Sequence, residues 1–242
     1  MLRHTFLHVP GVGESTERRW WERGLLDWSS AADAPCREDQ RAVLKQSLAA
    51  WSAGDLHYFD DTLPNVHKWR AWGELGERAL FVDIETDGGY GPESITVIGT
   101  YDGVTTRAFV ADENLQDAAD HLEAYPLLVT YNGVFFDMPL IRQRFLHRLR
   151  NHLHLDLRFP LARLGYKGGL KRIERQAGLA RSAETEGLDG WAAIHLWREW
   201  RYGSREARER LLAYNAEDVV NLRPLAQLVF DQMRAQTRFP TA

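Results

Sequence analysis

Cysteine is nearly absent from this chain: Cys36 stands alone among 242 residues. An intramolecular disulfide is thereby excluded, and the composition fits a reducing compartment. Long apolar runs are missing too. No stretch approaches the ~20 residues of a membrane-spanning helix. The opening MLRHTFLHVPGVG lacks the apolar segment of a signal peptide. The expectation is a cytoplasmic protein with no membrane partner. Basic excess is a third absence: 30 Lys and Arg against 34 Asp and Glu leave a formal charge of −4. The chain therefore carries no global basic footprint for nucleic acid, although metal-binding carboxylates would add negative charge that cations neutralise locally. There is no internal repeat and no low-complexity tract.

What is present is a composition 44% hydrophobic with nine Trp. It can bury one sizeable core with room for a small accessory region. Residues 1–72 are dense in Trp and lack strand signals. They are expected to form short helices near 15–23 and 38–52, with turns around 56–63. Residues 73–242 read as the main domain. Strands are expected at 79–85, 95–101, 105–110, 127–130 and 153–157, with a hairpin at Asp102-Gly103. Helices are expected at 113–124 and from Asp137 to about 149, and over most of the remainder. Pro224 should kink or end the last helix. From this order alone the class is α/β.

Four acidic residues fall at three separated places. Asp83 and Glu85 follow the apolar run Ala79-Leu80-Phe81-Val82 in LFVDIETDG. Side chains alternate along a strand, so the two carboxylates share a face. Burying both is costly unless a cation sits between them. In TYNGVFFDMPLI the chain leaves a short strand, turns at Asn132-Gly133 and enters a helix with Asp137 near its start. Asp is also a preferred helix cap, so one reading of Asp137 is structural. In AYNAEDVVNL, Tyr214 and Asp218 are four apart and share a helix face.

A strand DIET, a turn NGxxFD and a helical YxxxD, in that order, resemble motifs I, II and III of the DEDD superfamily of 3′–5′ exonucleases. Tyr214 places the resemblance in the DEDDy subclass. The segments TFLHVPGVGESTERRWWERGL, HYFDDTLPNVHKWRAW and HLDLRFPLARLGYKGGLKRIERQAGL are similar to bacterial YprB-type RNase H-like proteins. The resemblance implies an RNase H-like mixed β-sheet flanked by helices, behind a small helical N-terminal region. It implies a metal-dependent 3′–5′ exonuclease that releases mononucleotides from single-stranded DNA or RNA ends. Asp83, Glu85 and Asp218 would hold one ion. Asp83 and Asp137 would hold a second. Oxygen ligands and a phosphate substrate favour Mg²⁺ or Mn²⁺, and two such ions stabilise the attacking and leaving oxygens of an in-line displacement. Tyr214 would orient the attacking water as a hydrogen-bonding group, since a free phenol titrates near pH ~10.

His154 and Asp156 form an HxD pair on one strand face. A metal site, support for the catalytic residues and simple hydrogen bonding within the fold are all open. Gly168 to Arg175 reads as a flexible loop opening a basic helix. Lys167, Lys171 and Arg172 are candidates to contact a nucleic-acid backbone, as is Asn132 of the second motif. A solvated helix face is the plain alternative. Val9-Pro10-Gly11-Val12-Gly13 ahead of a helix resembles half of a helix–hairpin–helix, with Gly11 and Gly13 facing phosphate and Arg18, Arg19 and Arg23 assisting. A PGxG turn is often only a turn. Two other functions remain open on the same residues: a structure-selective endonuclease, and an inactive nucleic-acid-binding module. A polymerase proofreading domain fits less well, because no polymerase sequence follows.

Overall fold

The computed structural model describes residues 1–146, 148–185 and 187–239. Five strands form one sheet: β1 (Ala79–Thr86), β2 (Ile95–Tyr101), β3 (Thr106–Val110), β4 (Leu127–Thr130) and β5 (Leu153–Asp156), in the order β3-β2-β1-β4-β5. The three hairpin-linked strands are antiparallel, whereas β4 and β5 join β1 in parallel. Parallel neighbours need crossovers, and the helices Ala118–Glu123 and Asp137–Arg144 lie in them.

Among the described residues, eleven α-helices accompany the sheet. Before it come α1 (Glu14–Glu22), α2 (Trp28–Asp33), α3 (Glu38–Ala53), α4 (Leu56–Thr62) and α5 (Trp72–Leu75). Within and after it come α6 (Ala118–Glu123), α7 (Asp137–Arg144), α8 (Arg158–Arg163), α9 (Leu170–Gln176), α10 (Gly190–Arg201) and α11 (Arg205–Thr237).

Alternation along β1 sorts its side chains. Leu80, Val82 and Ile84 enter a core with Leu122 of α6 and Ile141 of α7. Ala79 and Phe81 enter the opposite core with Leu222, Leu225 and Val229 of α11. Asp83 and Glu85 continue that second row, so they face α11. A register shift between Glu85 and Thr86 ends the regular pairing just past the acids.

The Trp-rich region 1–72 packs into the α11-side core. Phe6, Trp28, Phe59 and Trp69 share that core with Val129 and Leu155. Its tryptophans are interior packing: Trp28 stacks on Phe59 with centroids 5.0 Å apart. Its charged interior is paired, since Arg70 grips Glu17 through two bonds of 2.8 Å. No helix among the described residues is long and apolar enough to cross a membrane.

Three expectations need adjusting. Helix α6 starts at Ala118 rather than near 113, because Asn114 turns back on β3 and accepts the Val110 amide at 2.7 Å. Helix α7 stops at Arg144, where Phe145 turns into the core. The final helix neither ends nor breaks at Pro224; it runs 33 residues through it. Pro224 cannot donate to the Val220 carbonyl, but both residues are exposed, and Leu222, Leu225 and Ala226 are buried on the opposite face.

Candidate active site

The acids meet at the end of β1. Asp83 pairs across the sheet with Gly99 of β2. Asp218 reaches the same place from the middle of α11. Asp83, Glu85 and Asp218 present carboxylate oxygens that all lie within 4.8 Å of one another. Asp137, the first residue of α7, stands beside this group. Its Oδ1 accepts the Ile84 amide at 3.2 Å, which fixes it against the backbone between Asp83 and Glu85. Phe136, not Asp137, is the N-cap of α7, and no side-chain cap bond is present, so the Asp137 carboxylate is turned to β1 rather than to its own helix.

Tyr214 lies one turn before Asp218, buried against Val97 and Leu211. The Lys171 ammonium sits over its ring, 4.4 Å from the centroid. Between Tyr214 and Asp218, Asn215 donates to Asp83 Oδ2 at 3.0 Å. Asn215 reaches that oxygen only because residue 99 is glycine: a Cβ there would stand 1.7 Å from Asn215 Oδ1.

The electrostatics describe a site short of positive charge. Burial drives the Asp83 carboxyl well above its usual range, and the charges of Asp218, Asp137 and Glu85 push it further. Burial, then Asp218, lifts Glu85 to about 8. Burial lifts Asp137 to about 7 against two backbone hydrogen bonds. Asp218 is raised by burial and restrained by Arg181. Like charges in low dielectric cannot all ionise unaided. The donor set is all oxygen, converging and hard, so the residues fit Mg²⁺ or Mn²⁺.

The acids floor a groove of about 360 Å³ whose walls include Tyr131, Asn132, Phe136, Trp191 and Ile194. A second depression adjoins it through Tyr131 and Asn132 and is edged by Arg158, Tyr166 and Lys167.

The remaining candidates are distributed unevenly. Asn132 adopts a left-handed backbone, φ 67°, and its side-chain oxygen accepts from Arg158. Asp156 builds this turn by accepting the Asn132 amide at 2.7 Å and the Val134 amide at 3.0 Å. His154 bonds Thr130 Oγ1 at 2.8 Å, and its amide donates to Asp60 at 2.9 Å. The HxD pair is therefore engaged in hydrogen bonds that shape the fold. Lys171 points inward, its Nζ without a hydrogen-bond partner among the described residues. Lys167 and Arg172 are exposed at the opening of α9. Gly11 and Gly13 do not line the groove. Gly11, at φ 72°, lies under the Arg37 guanidinium, and Gly13 caps α1.

Sequence reasoning did not single out Asn215, Gly99, Trp191, Glu174 or Arg181. Asn215 had a signal, being inside YNAED. Arg181 had none: it reaches Asp218 from 37 positions away in sequence.

A sequence model of the RNase_H superfamily matches residues 80–230, well over half of the chain. No curated protein matches it. Among solved structures it is similar to the family B DNA polymerase of the hyperthermophilic archaeon Pyrobaculum calidifontis. That similarity has a TM-score of 0.51 and 19% identity, over 62% of this chain and 24% of the polymerase. The chain thus spans about a quarter of the polymerase's length, and the likeness is one of fold.

Proposed function

The chain belongs to the RNase H superfamily, and from that premise we propose that it is a metal-dependent 3′–5′ exonuclease of the DEDDy type, acting on single-stranded nucleic acid. The observation that carries the reading is the convergence of Asp83, Glu85 and Asp218 from two distant segments, with Asp137 bonded between the first two. Three carboxylates so placed, Asp83 half-buried and Glu85 and Asp218 buried, are costly without a cation.

Asp83, Glu85 and Asp218 would hold one divalent ion, and Asp83 with Asp137 a second. Bound there, such ions neutralise phosphate charge and make water acidic enough to act as nucleophile near neutral pH. The water oxygen bonds to phosphorus and gives up a proton, the P–O3′ bond breaks, the leaving O3′ takes up a proton as the 3′-hydroxyl of the shortened strand, and the 5′-mononucleotide is released. Tyr214 stays a phenol at working pH, because burial and the nearby carboxylates raise it above its usual range. It donates a hydrogen bond that orients the water. Lys167 and Arg172, exposed at the opening of α9, contact the backbone phosphates, and Lys171, inward over the Tyr214 ring, adds positive charge beside the acids. Phe136 and Trp191, the latter 74% exposed, offer flat faces for bases on the walls of the groove.

The test uses 3′- and 5′-labelled single-stranded DNA and RNA with Mg²⁺, Mn²⁺ or EDTA, beside Asp83→Asn. Metal-dependent single-nucleotide steps from the 3′ end, lost in the variant, are expected. Internal cuts would instead favour a structure-selective endonuclease. Binding without cleavage under either metal would favour an inactive binding module.

A further inference from the structure

The loop between α9 and α10 brings one cation to the metal-ligand cluster from behind. Glu174 of α9 is 1% exposed. It accepts Arg181 Nε at 2.6 Å and Nη2 at 2.7 Å, and Asn221 Nδ2 at 3.0 Å. The same Nη2 donates to Asp218 Oδ1. Asn221 and Asp218 lie three apart on α11, so Glu174 is anchored to the helix that carries the ligand. Next to Arg181, the Ser182 amide donates to Glu217 Oε1 at 2.7 Å, and the Thr185 hydroxyl donates to Glu217 Oε2. The loop is thus fastened to α11 at two successive positions, 217 and 218.

Such a network is a poor way to gain stability. Desolvating a guanidinium and two carboxylates offsets most of their attraction, and apolar packing of the same volume does as well or better. What the network does provide is direction. A guanidinium is planar, and its donors are fixed relative to one another. With one edge clamped by Glu174, the remaining reach of Nη2 settles where Asp218 Oδ1 lies. One carboxylate oxygen is then engaged, and the other is left for a cation.

We propose that Arg181, clamped by Glu174, is the positioning residue for the metal ligand Asp218, turning its free oxygen toward Asp83 and Glu85. The role rests on the metal-dependent reading of the site. Groups that orient ligands from behind typically hold a 10- to 100-fold share of metal affinity.

Mn²⁺ binding to the full chain without substrate, followed by calorimetry or by the spin-resonance signal of the free ion, tests it. Glu174→Gln with Arg181→Gln removes the clamp and its charge pair together, leaving Asp218 without its guanidinium partner. This double variant is expected to bind Mn²⁺ at least about tenfold more weakly than the wild type. Arg181→Lys keeps the charge but cannot fork between Glu174 and Asp218, and it should fall between the two. Should the double variant fail to fold, Arg181→Lys alone carries the test. Wild-type affinity in a folded variant overturns the role of Arg181 and leaves the metal-dependent reading standing. No Mn²⁺ binding by the wild type overturns both.

Discussion

Gly99→Ala is a one-methyl test of how the site is assembled. The added Cβ would lie 1.7 Å from Asn215 Oδ1 and 2.6 Å from Cγ. Asn215 is 1% exposed and has no free space to retreat into. Its amide must give up the 3.0 Å bond to Asp83 Oδ2, or β2 must move. Losing a hydrogen bond to a buried acid costs about 1.5–3 kcal/mol. Overpacking adds about 1–3 kcal/mol. Against this, replacing a strand glycine gains roughly 0.5–1 kcal/mol from the unfolded chain. The losses win by about 1.5–5.5 kcal/mol. For a chain of this size the melting temperature should fall by roughly 3–22 °C. Thermal melts of Gly99→Ala, Asn215→Ala and the double variant, in EDTA, supply the assay. The double variant is expected to be no less stable than Asn215→Ala alone, since removing the amide makes room for the methyl. If Gly99→Ala melts with the wild type, or if the two costs simply add, then Gly99 is not the cut-out that admits Asn215.

Glu85 and Asp137 are raised to about 8 and about 7, from ordinary values of 4.5 and 3.8. The folded chain therefore holds protons that the unfolded chain has lost between pH ~4 and ~8, and stability falls as pH rises through that window. His8, His152 and His154, buried neutral, act in the opposite sense below their ordinary 6.5. Because they are common to both conditions, the increment in melting temperature on adding Mg²⁺ isolates the carboxylates. It should grow from pH 4 to 8, and an increment that shrinks would contradict the site. Tyr214→Phe should lower kcat about a hundredfold through misplaced water with KM nearly unchanged; a comparable loss in KM instead would make Tyr214 a binding residue. Gly133→Ala places a Cβ 2.2 Å from Thr130 Oγ1, and chemical denaturation should show a loss of about 1–3 kcal/mol. Lys171→Glu should weaken single-strand binding and flatten its salt dependence by about 0.7 in log–log slope; unchanged binding removes Lys171 from the substrate path.

The parts of the site written in local pattern were readable in advance. Alternation along Ala79 to Glu85 put the two acids on one face, and the fold uses that face against α11. The spacing of Tyr214 and Asp218 placed both on one side of a helix. What was not readable depends on tertiary approach. Gly99 reads as any strand glycine until the register sets it opposite Asp83 and α11 lays Asn215 across it. Arg181 sits in a polar loop, and only the packing of α9 on α11 makes it a partner of Asp218. Pro224 misled because the rule against proline assumes that the lost carbonyl bond has no alternative. On the exposed side of α11 that assumption does not hold. The nine tryptophans left packing and stacking both open; burial assigns Trp28 and Trp69 to the first, while Trp191 stands at the groove.

The long final helix also orders events in time. The core around Phe6, Trp28 and Trp69 is closed in part by Leu225, Val229 and Met233, and Trp69 meets Phe230 with centroids 6.1 Å apart. Residues 1–72 are synthesised well before the helix that covers part of them. At about 5–20 residues per second on the ribosome, the interval from residue 72 to residue 237 is roughly 8–33 s. Through that interval the part of the tryptophan-rich segment that meets α11 waits uncovered. Nascent chains should therefore engage holding chaperones early and release them only when the last helix emerges. Asp218, in the middle of that helix, arrives with it, so no earlier partial product brings Asp83, Glu85 and Asp218 together.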